Sequence, residues 1–405
     1  MIRKLFVIVS ILGFSIPLHA TRAKMDALGT NSDRYFDMIE RVFYNPAVII
    51  ENSDQIILQL GTAGTDDAHT GAGVSRVKQE NFSDMPSAEG GFFHTVGSFT
   101  WGLYFGKQDN RDLRRVIIDD GSNSSSKTTS FAFTNASDQN NPLEFFIAGD
   151  NGMLWGASIK TSWGKDEQRP TAGPHLHKQS SLALKGGVVA GGLEGYVNLG
   201  IFDKADGGAL SSTSAFSKAE FDANLSFLIG AQYAFDDYIV YLEFSKTGYE
   251  YKDGVTGVKS EEYDRSSFKF GTGKTFSMDN NSKMFLDVYL FTFSDELKQF
   301  SPNKIFNWSR WYVPITIGYE SQVLKWLTLR GSIEQKVLSR AKASTKRKTW
   351  DFNSTNVNAG LGIMLGALEL DALIGLSNSS TDAQSKKGRI SFDNLLSRIS
   401  TTYRF

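Results

Sequence analysis

The chain has 405 residues, a formal net charge of −1, 13% aromatics, 38 glycines and no cysteine. The balanced charge argues against nucleic acid as a partner. The absence of cysteine excludes structural disulfides, thiolate-bound metal and a cysteine-linked lipid anchor.

Taken in chain order, Arg3-Lys4, an apolar run from Leu5 to Leu18 and the small residue Ala20 come first. This pattern reads as a secretory signal peptide over residues 1–20, too short to span a bilayer. Residues 21–54 form a second unit. Tyr35, Met38, Ile39 and Val42 recur at helical spacing, and Asp33 stands where an N-cap would. Pro46 disfavours helix at Asn45, so the pattern predicts a helix over residues 33–42 and then a turn. That unit would either plug the lumen of the downstream fold or cap its floor.

Residues 55–405 repeat one phrase: an alternating strand, a short turn, a second strand and a polar connection. Phe221, Ala223, Leu225, Phe227, Ile229, Ala231, Tyr233 and Phe235 share one parity; Asp222, Asn224, Ser226, Gly230 and Gln232 share the other. Trp311 to Tyr319, Leu327 to Ile333, Val357 to Leu365 and Leu370 to Leu376 behave alike. Period two over such lengths means one apolar face and one polar face. Short turns are expected near Gly97-Ser98, Asp150-Asn151, Gly191-Gly192, Asp236-Asp237, Asp279-Asn280, Val323-Leu324 and Gly366-Ala367. Long polar loops are expected near 64–89, 107–141, 165–178, 204–217, 248–261, 295–307, 338–352 and 378–394. Alternating short and long connections characterise outer-membrane barrels. In lipid only closure satisfies the sheet's edge groups. The expected fold is all-β: a transmembrane antiparallel up-and-down barrel of about 14–16 strands with a short N-terminal helical segment, in the outer membrane of a Gram-negative bacterium.

The chain ends in Ile399-Ser400-Thr401-Thr402-Tyr403-Arg404-Phe405, a strand with Ile399, Thr401, Tyr403 and Phe405 on one face. It should close the sheet against residues 55–61 with that face to lipid. The ending resembles the C-terminal signal of bacterial outer-membrane proteins, which implies that Tyr403 and Phe405 are read by the barrel-assembly machinery. Arg22, Ala27-Leu28-Gly29 and Tyr44-Asn45-Pro46-Ala47 together resemble the start of FadL-type outer-membrane transporters and their PorV-like relatives. The resemblance implies a hatch, with Asn45, Pro46 and Ala47 as its residues. The chain departs from that pattern at Thr30-Asn31-Ser32-Asp33, where the family has a Gly-Gly-Ala run.

The inward parity carries Glu144, Lys160, Lys185, Glu194, Asp222, Glu243, Lys269, Asp287, Glu320, Arg330, Glu334, Glu369 and Asp371. Charges are costly on a lipid face, so the lumen is their expected place, where they either select solutes or pair across it. Acidic groups are in excess, which favours cations if a pore is open. Phe146, Leu154, Leu228, Tyr241, Phe285, Tyr289 and Leu373 also share the inward parity, to meet a hydrophobic solute or to pack the 33–42 segment.

Other constellations are weaker. His175 and His177 lack a third metal ligand. The basic run Lys336, Arg340, Lys342, Lys346, Arg347 and Lys348 falls in an expected outer loop, solvated or facing lipopolysaccharide. His94 is the one strand histidine and has no readable catalytic partner. No cofactor and no enzymatic activity are expected. The chain reads as a channel or transporter for small hydrophobic or amphipathic solutes. A general polar porin and a structural or assembly barrel that binds protein partners are the alternatives. The lipid bilayer, lipopolysaccharide and the assembly machinery are the expected partners.

Overall fold

The computed structural model describes residues 21–405 apart from 30, 37–38, 62–86, 108–140, 169–174, 211–215, 254–255, 280, 301–302, 344–347, 350–353 and 378–397. The signal-peptide region and most of the connections expected at 64–89, 107–141 and 378–394 lie outside the described residues.

Alternation of apolar and polar residues builds a single antiparallel sheet. Its first segments are β1 (Gln55–Gly61), β2 (Ser87–Val96), β3 (Phe99–Phe105) and β4 (Leu143–Asp150). Then come β5 (Leu154–Gln168), β6 (His175–Ala190), β7 (Leu193–Leu210), β8 (Phe216–Ala223) and β9 (Ser226–Phe235). They are followed by β10 (Tyr238–Asp253), β11 (Lys259–Asp279), β12 (Ser282–Phe300), β13 (Asn303–Leu324) and β14 (Leu327–Ala343). The last are β15 (Lys348–Thr349), β16 (Ser354–Leu365), β17 (Leu368–Ser377) and β18 (Arg398–Arg404). β8 and β9 both lie between β7 and β10, and β15 and β16 both pair with β14, so the segments form a closed barrel of sixteen strands. The seam is β1 against β18, with Gln55 opposite Arg404 and Gly61 opposite Arg398. Closure leaves no edge for lipid to meet.

One rim carries the short turns and the chain's last residue; the other carries the long connections. Ile56, Leu58, Phe145, Ile159, Leu242, Phe244, Phe270, Ile317, Leu329, Ile333 and Tyr403 face outward and are exposed, an apolar belt suited to a bilayer. Aromatic residues thicken the belt at the turn rim, where Tyr233, Phe235 and Tyr238 stack in succession.

Four expectations are corrected. First, the polar stretches 165–178, 204–217, 248–261, 295–307 and 338–352 are in large part strand: β11 alone runs 21 residues. A bilayer needs only about 9–11 residues per strand, so the upper halves stand in water on their outer face and lose the alternation. Lys259, Glu250, Glu262 and Lys298 form outward ion pairs there instead. Second, the helix is Arg22–Leu28, and residues 32–34, 39–43 and 46–52 are 3-10 turns. Tyr35 and Phe36 are both buried, so no side of that segment faces water and helical spacing carries no information there. Third, the turn predicted at Val323-Leu324 comes after Leu324, because β13 continues to that residue. Fourth, Phe221 to Phe235 is broken at Asn224-Leu225, which inverts the parity of β8 relative to β9. Phe221 is therefore inward and buried, and Asp222 pairs outward with Lys204 at 3.4 Å.

Pro314 sits within β13, where it cannot donate to a ladder. The register with β14 slips at Val313/Pro314, leaving Val337 as the extra residue that accommodates it.

Candidate functional site: a lumenal plug beneath an aromatic wall

The described residues of 21–52 lie inside the barrel. The helix Arg22–Leu28, here α1, rests on β14, β16 and β17, and the turn Pro46–Asn52 rests on β4, β5 and β6. The chain between them crosses the lumen and touches the β10–β12 wall. Backbone approach this close requires glycine on the wall. A Cβ at Gly187 would overlap the Asn45 amide, and one at Gly156 would overlap the Pro46–Ala47 backbone. Asn45 caps the following turn by accepting from Ala47 N at 3.2 Å, Pro46 occupies the first turn position, and Asn45 donates to Glu194 at 3.2 Å.

The acidic excess predicted for the lumen is matched by cations on the plug. Arg34 donates to Glu243 at 2.5 Å and to Gln232 at 2.7 Å, with its guanidinium 4.2 Å from the Tyr241 ring. Arg41 pairs with Glu194, and Lys24 with Glu320 at 3.1 Å. Glu40 reverses the polarity and pairs with Lys107. Burial pushes the Glu40 carboxyl up, but Lys107 and Arg22 together hold it below the ordinary carboxylate range. Asp26 pairs with Arg398, and Arg330 binds Glu320 at 2.6 Å, Glu369 at 3.6 Å and Asp371. Thr21 donates to Asp371 at 2.7 Å. Asp287 accepts from Tyr35 at 2.5 Å and from Asn31 and Tyr241 at 3.0 Å. Asp33, expected to cap a helix, accepts from Tyr44 at 2.5 Å. Burial, with Asp33 next to it, pushes the Tyr44 hydroxyl up, so it stays a donor.

The predicted lumen charges thus face inward with the exception of Asp222, and most are engaged. Glu144 accepts from Ser158 at 2.6 Å and from Lys185 at 2.8 Å, and Lys160 lies opposite it on β5. Lys269 bridges Glu243 at 3.1 Å and Asn31 at 3.2 Å. Glu334 accepts from Thr316 at 3.5 Å. The inward apolar residues divide. Phe146 packs on Phe43, and Phe285 stacks on Tyr35 at 4.8 Å, so both serve the plug. Tyr289 belongs elsewhere.

Above the plug, β11–β14 present an aromatic wall to the lumen. Phe291 lies 5.2 Å from Tyr312 and 5.8 Å from Phe293, with Tyr289 6.3 Å from Tyr312. Three of these four rings have a cation beside them. Arg265 lies over Phe293 at 4.9 Å, Lys336 and Arg310 over Tyr312 at 5.4 and 5.7 Å, and Lys269 over Tyr289 at 5.6 Å. A second cluster of Phe221, Tyr249, Tyr251, Tyr263 and Leu297 continues towards the loop rim. The sequence reading missed Arg34, Arg41, Phe291, Phe293 and Tyr312. The acidic excess was the available signal for the first two. For the rings the available signal was parity: Phe291 and Phe293 share that of Asp287 and Tyr289, and Tyr312 alternates with Trp311 and Val313.

At the turn rim His94 does have a partner, Asp54 Oδ1 at 2.7 Å, and its ring packs on Phe405 at 5.8 Å. Phe405 N donates to Asp54 O at 3.1 Å. His175 and His177 begin β6 and are not in a loop. No helix among the described residues is long and apolar enough to cross a membrane, and no group of three or more His, Cys, Asp or Glu among them is arranged to hold a metal.

No family model and no curated protein matches the chain. Among solved structures it is similar to the Pseudomonas putida toluene transporter TodX, at 9% identity over 96% of this chain and 99% of that one, with a TM-score of 0.38. It is also similar to a loop-deletion mutant of OmpT, an outer membrane protein of Vibrio cholerae, at 10% identity over 87% and 97% of the two chains, TM-score 0.36. A third is CdiB from Escherichia coli, at 9% identity over 87% of this chain and 62% of that one, TM-score 0.40. At this level the likenesses decide nothing further; the barrel rests on its own strand register.

Proposed function

We propose that this chain is a bacterial outer-membrane transporter for small hydrophobic or amphipathic solutes, gated by residues 21–54. The turn rim then faces the periplasm and the long strands project outward. One observation carries the reading: a lumen filled at the turn rim by an ion-paired plug and lined above it by aromatic rings with adjacent cations. Rings supply apolar contact, and the cations would hold an anionic or polar head. A general polar porin fits less well, because most of the charges that would select ions are engaged by the plug or by one another. The Asn45-Pro46-Ala47 turn is the hatch in this scheme, seated on Gly156 and Gly187.

Uptake of labelled fatty acid by cells with and without the gene tests the reading; equal rates would sink it. Conductance in planar bilayers before and after deleting residues 21–54 tests the gate. The intact protein should be silent and the deletion should give stable steps.

A further inference from the structure

Outward charges on a membrane barrel need a reason, and β14 carries two that stand together beside β13. From Leu329 to Leu338 the outward side chains of β14 include Ile333, Val337 and Leu338, all exposed. Roughly nine residue steps of about 3.4 Å, tilted by about 40°, climb about 23 Å, close to the ~25 Å height of a barrel's apolar band. The next outward residues are Arg340 and Lys342, which therefore sit at the upper edge of the belt. Across the ladder Arg340 is in register with Trp311 and Lys342 with Ser309. These four residues line a pocket of about 280 Å³. The register also places Lys348 opposite Lys342 on the neighbouring segment.

On β10–β12 the same rim carries ion pairs of Glu250, Glu262 and Glu296 with Lys252, Lys259 and Lys298. The lining at β13–β14 is cationic and holds the indole of Trp311. Below it on β13 run Val313, Ile315 and Ile317, apolar and outward.

We propose that this pocket binds the phosphorylated headgroup of an outer-leaflet glycolipid. Arg340 and Lys342 would pair with phosphate, Trp311 would sit at the headgroup boundary and Ser309 would donate a hydroxyl. Acyl chains would run down the Val313–Ile317 and Ile333–Leu338 faces. A lipid is favoured over a free phosphate because the cationic pocket is continuous with the lipid-facing belt. The proposal is independent of which solute crosses the barrel.

The test measures binding of the full-length protein in detergent to three probes: a diphosphorylated, acylated glucosamine disaccharide, the same lipid with its phosphates removed, and inorganic phosphate. The phosphorylated lipid should bind roughly thirtyfold more tightly than the dephosphorylated one at low salt, at about fivefold per cation. The preference should shrink as salt rises and vanish in R340Q/K342Q, with heat-modifiable migration confirming that the barrel is intact. If the double variant does not fold, K342Q alone should lose about fivefold, since that side chain is exposed. Equal wild-type affinity for both lipids, or an unchanged preference in the variants, would overturn the proposal. Displacement of the lipid by inorganic phosphate at equal concentration would overturn the assignment to a lipid.

Discussion

Replacing Arg34 by alanine should release the plug from the β9–β11 wall. Arg34 is buried and makes two short charge-assisted hydrogen bonds, to Gln232 at 2.7 Å and Glu243 at 2.5 Å, and a longer one to the Tyr196 hydroxyl at 3.4 Å. Such bonds contribute about 1.5–3 kcal/mol each. The loss is partly offset, because Glu243 keeps Lys269 at 3.1 Å and Tyr196 at 2.6 Å and is not left alone. About 3–4 kcal/mol of docking free energy should therefore disappear, consistent with breaking a buried pair from one side. That raises the undocked population about 150- to 900-fold. Two measurements read it: the frequency of open steps in planar bilayers, and deuterium exchange across residues 31–45. R34A should open often where the wild type is silent, and its plug amides should exchange faster while the strand amides do not. A variant with wild-type conductance and wild-type plug protection would refute the reasoning.

Four further outcomes rest on the same contacts. Gly187→Val should lift the hatch, since a Cβ there overlaps the Asn45 side chain, at a cost of about 1–3 kcal/mol; faster exchange at residues 45–48 in an assembled barrel reads it, and unchanged exchange contradicts it. Glu40→Gln should weaken plug docking at pH 7 but not at acid pH. The folded carboxyl is held below its ordinary value, so its stabilisation is present above about pH 4.3 and is lost as pH falls through the folded value; a pH-independent difference in exchange would count against the ion pair. Phe293→Ala should lower uptake of an amphipathic anion by about three- to tenfold through loss of ring contact and of the Arg265 stack, with barrel stability little changed. Phe405→Ala should reduce assembled barrel, costing about 1–2 kcal/mol at the His94–Asp54 corner; an undiminished heat-modifiable band would remove Phe405 from that role.

The barrel was legible because lipid imposes period two on any strand that crosses it. The alternation of Ile399 to Phe405, and the pairing of that strand with residues 55–61, are readable from the residues alone. The same rule goes silent wherever both faces of a strand meet water or protein. The upper ends of β10, β12 and β14 therefore read as loop, and the parity of Asp222 is assigned across a break that only the pairing of Phe221 with Tyr251 reveals.

The plug shows the deeper division. Sequence alone determined that residues 21–54 differ from the barrel and that the lumen is rich in carboxylates. It could not decide whether those carboxylates line a pore or hold something. Arg34 and Glu243 are separated by about two hundred residues and meet only because the sheet closes around the segment. Local spacing encodes which face a residue takes along its own strand. Which group stands across the lumen from it is set by closure, a property of the whole ring of strands that no window of sequence contains.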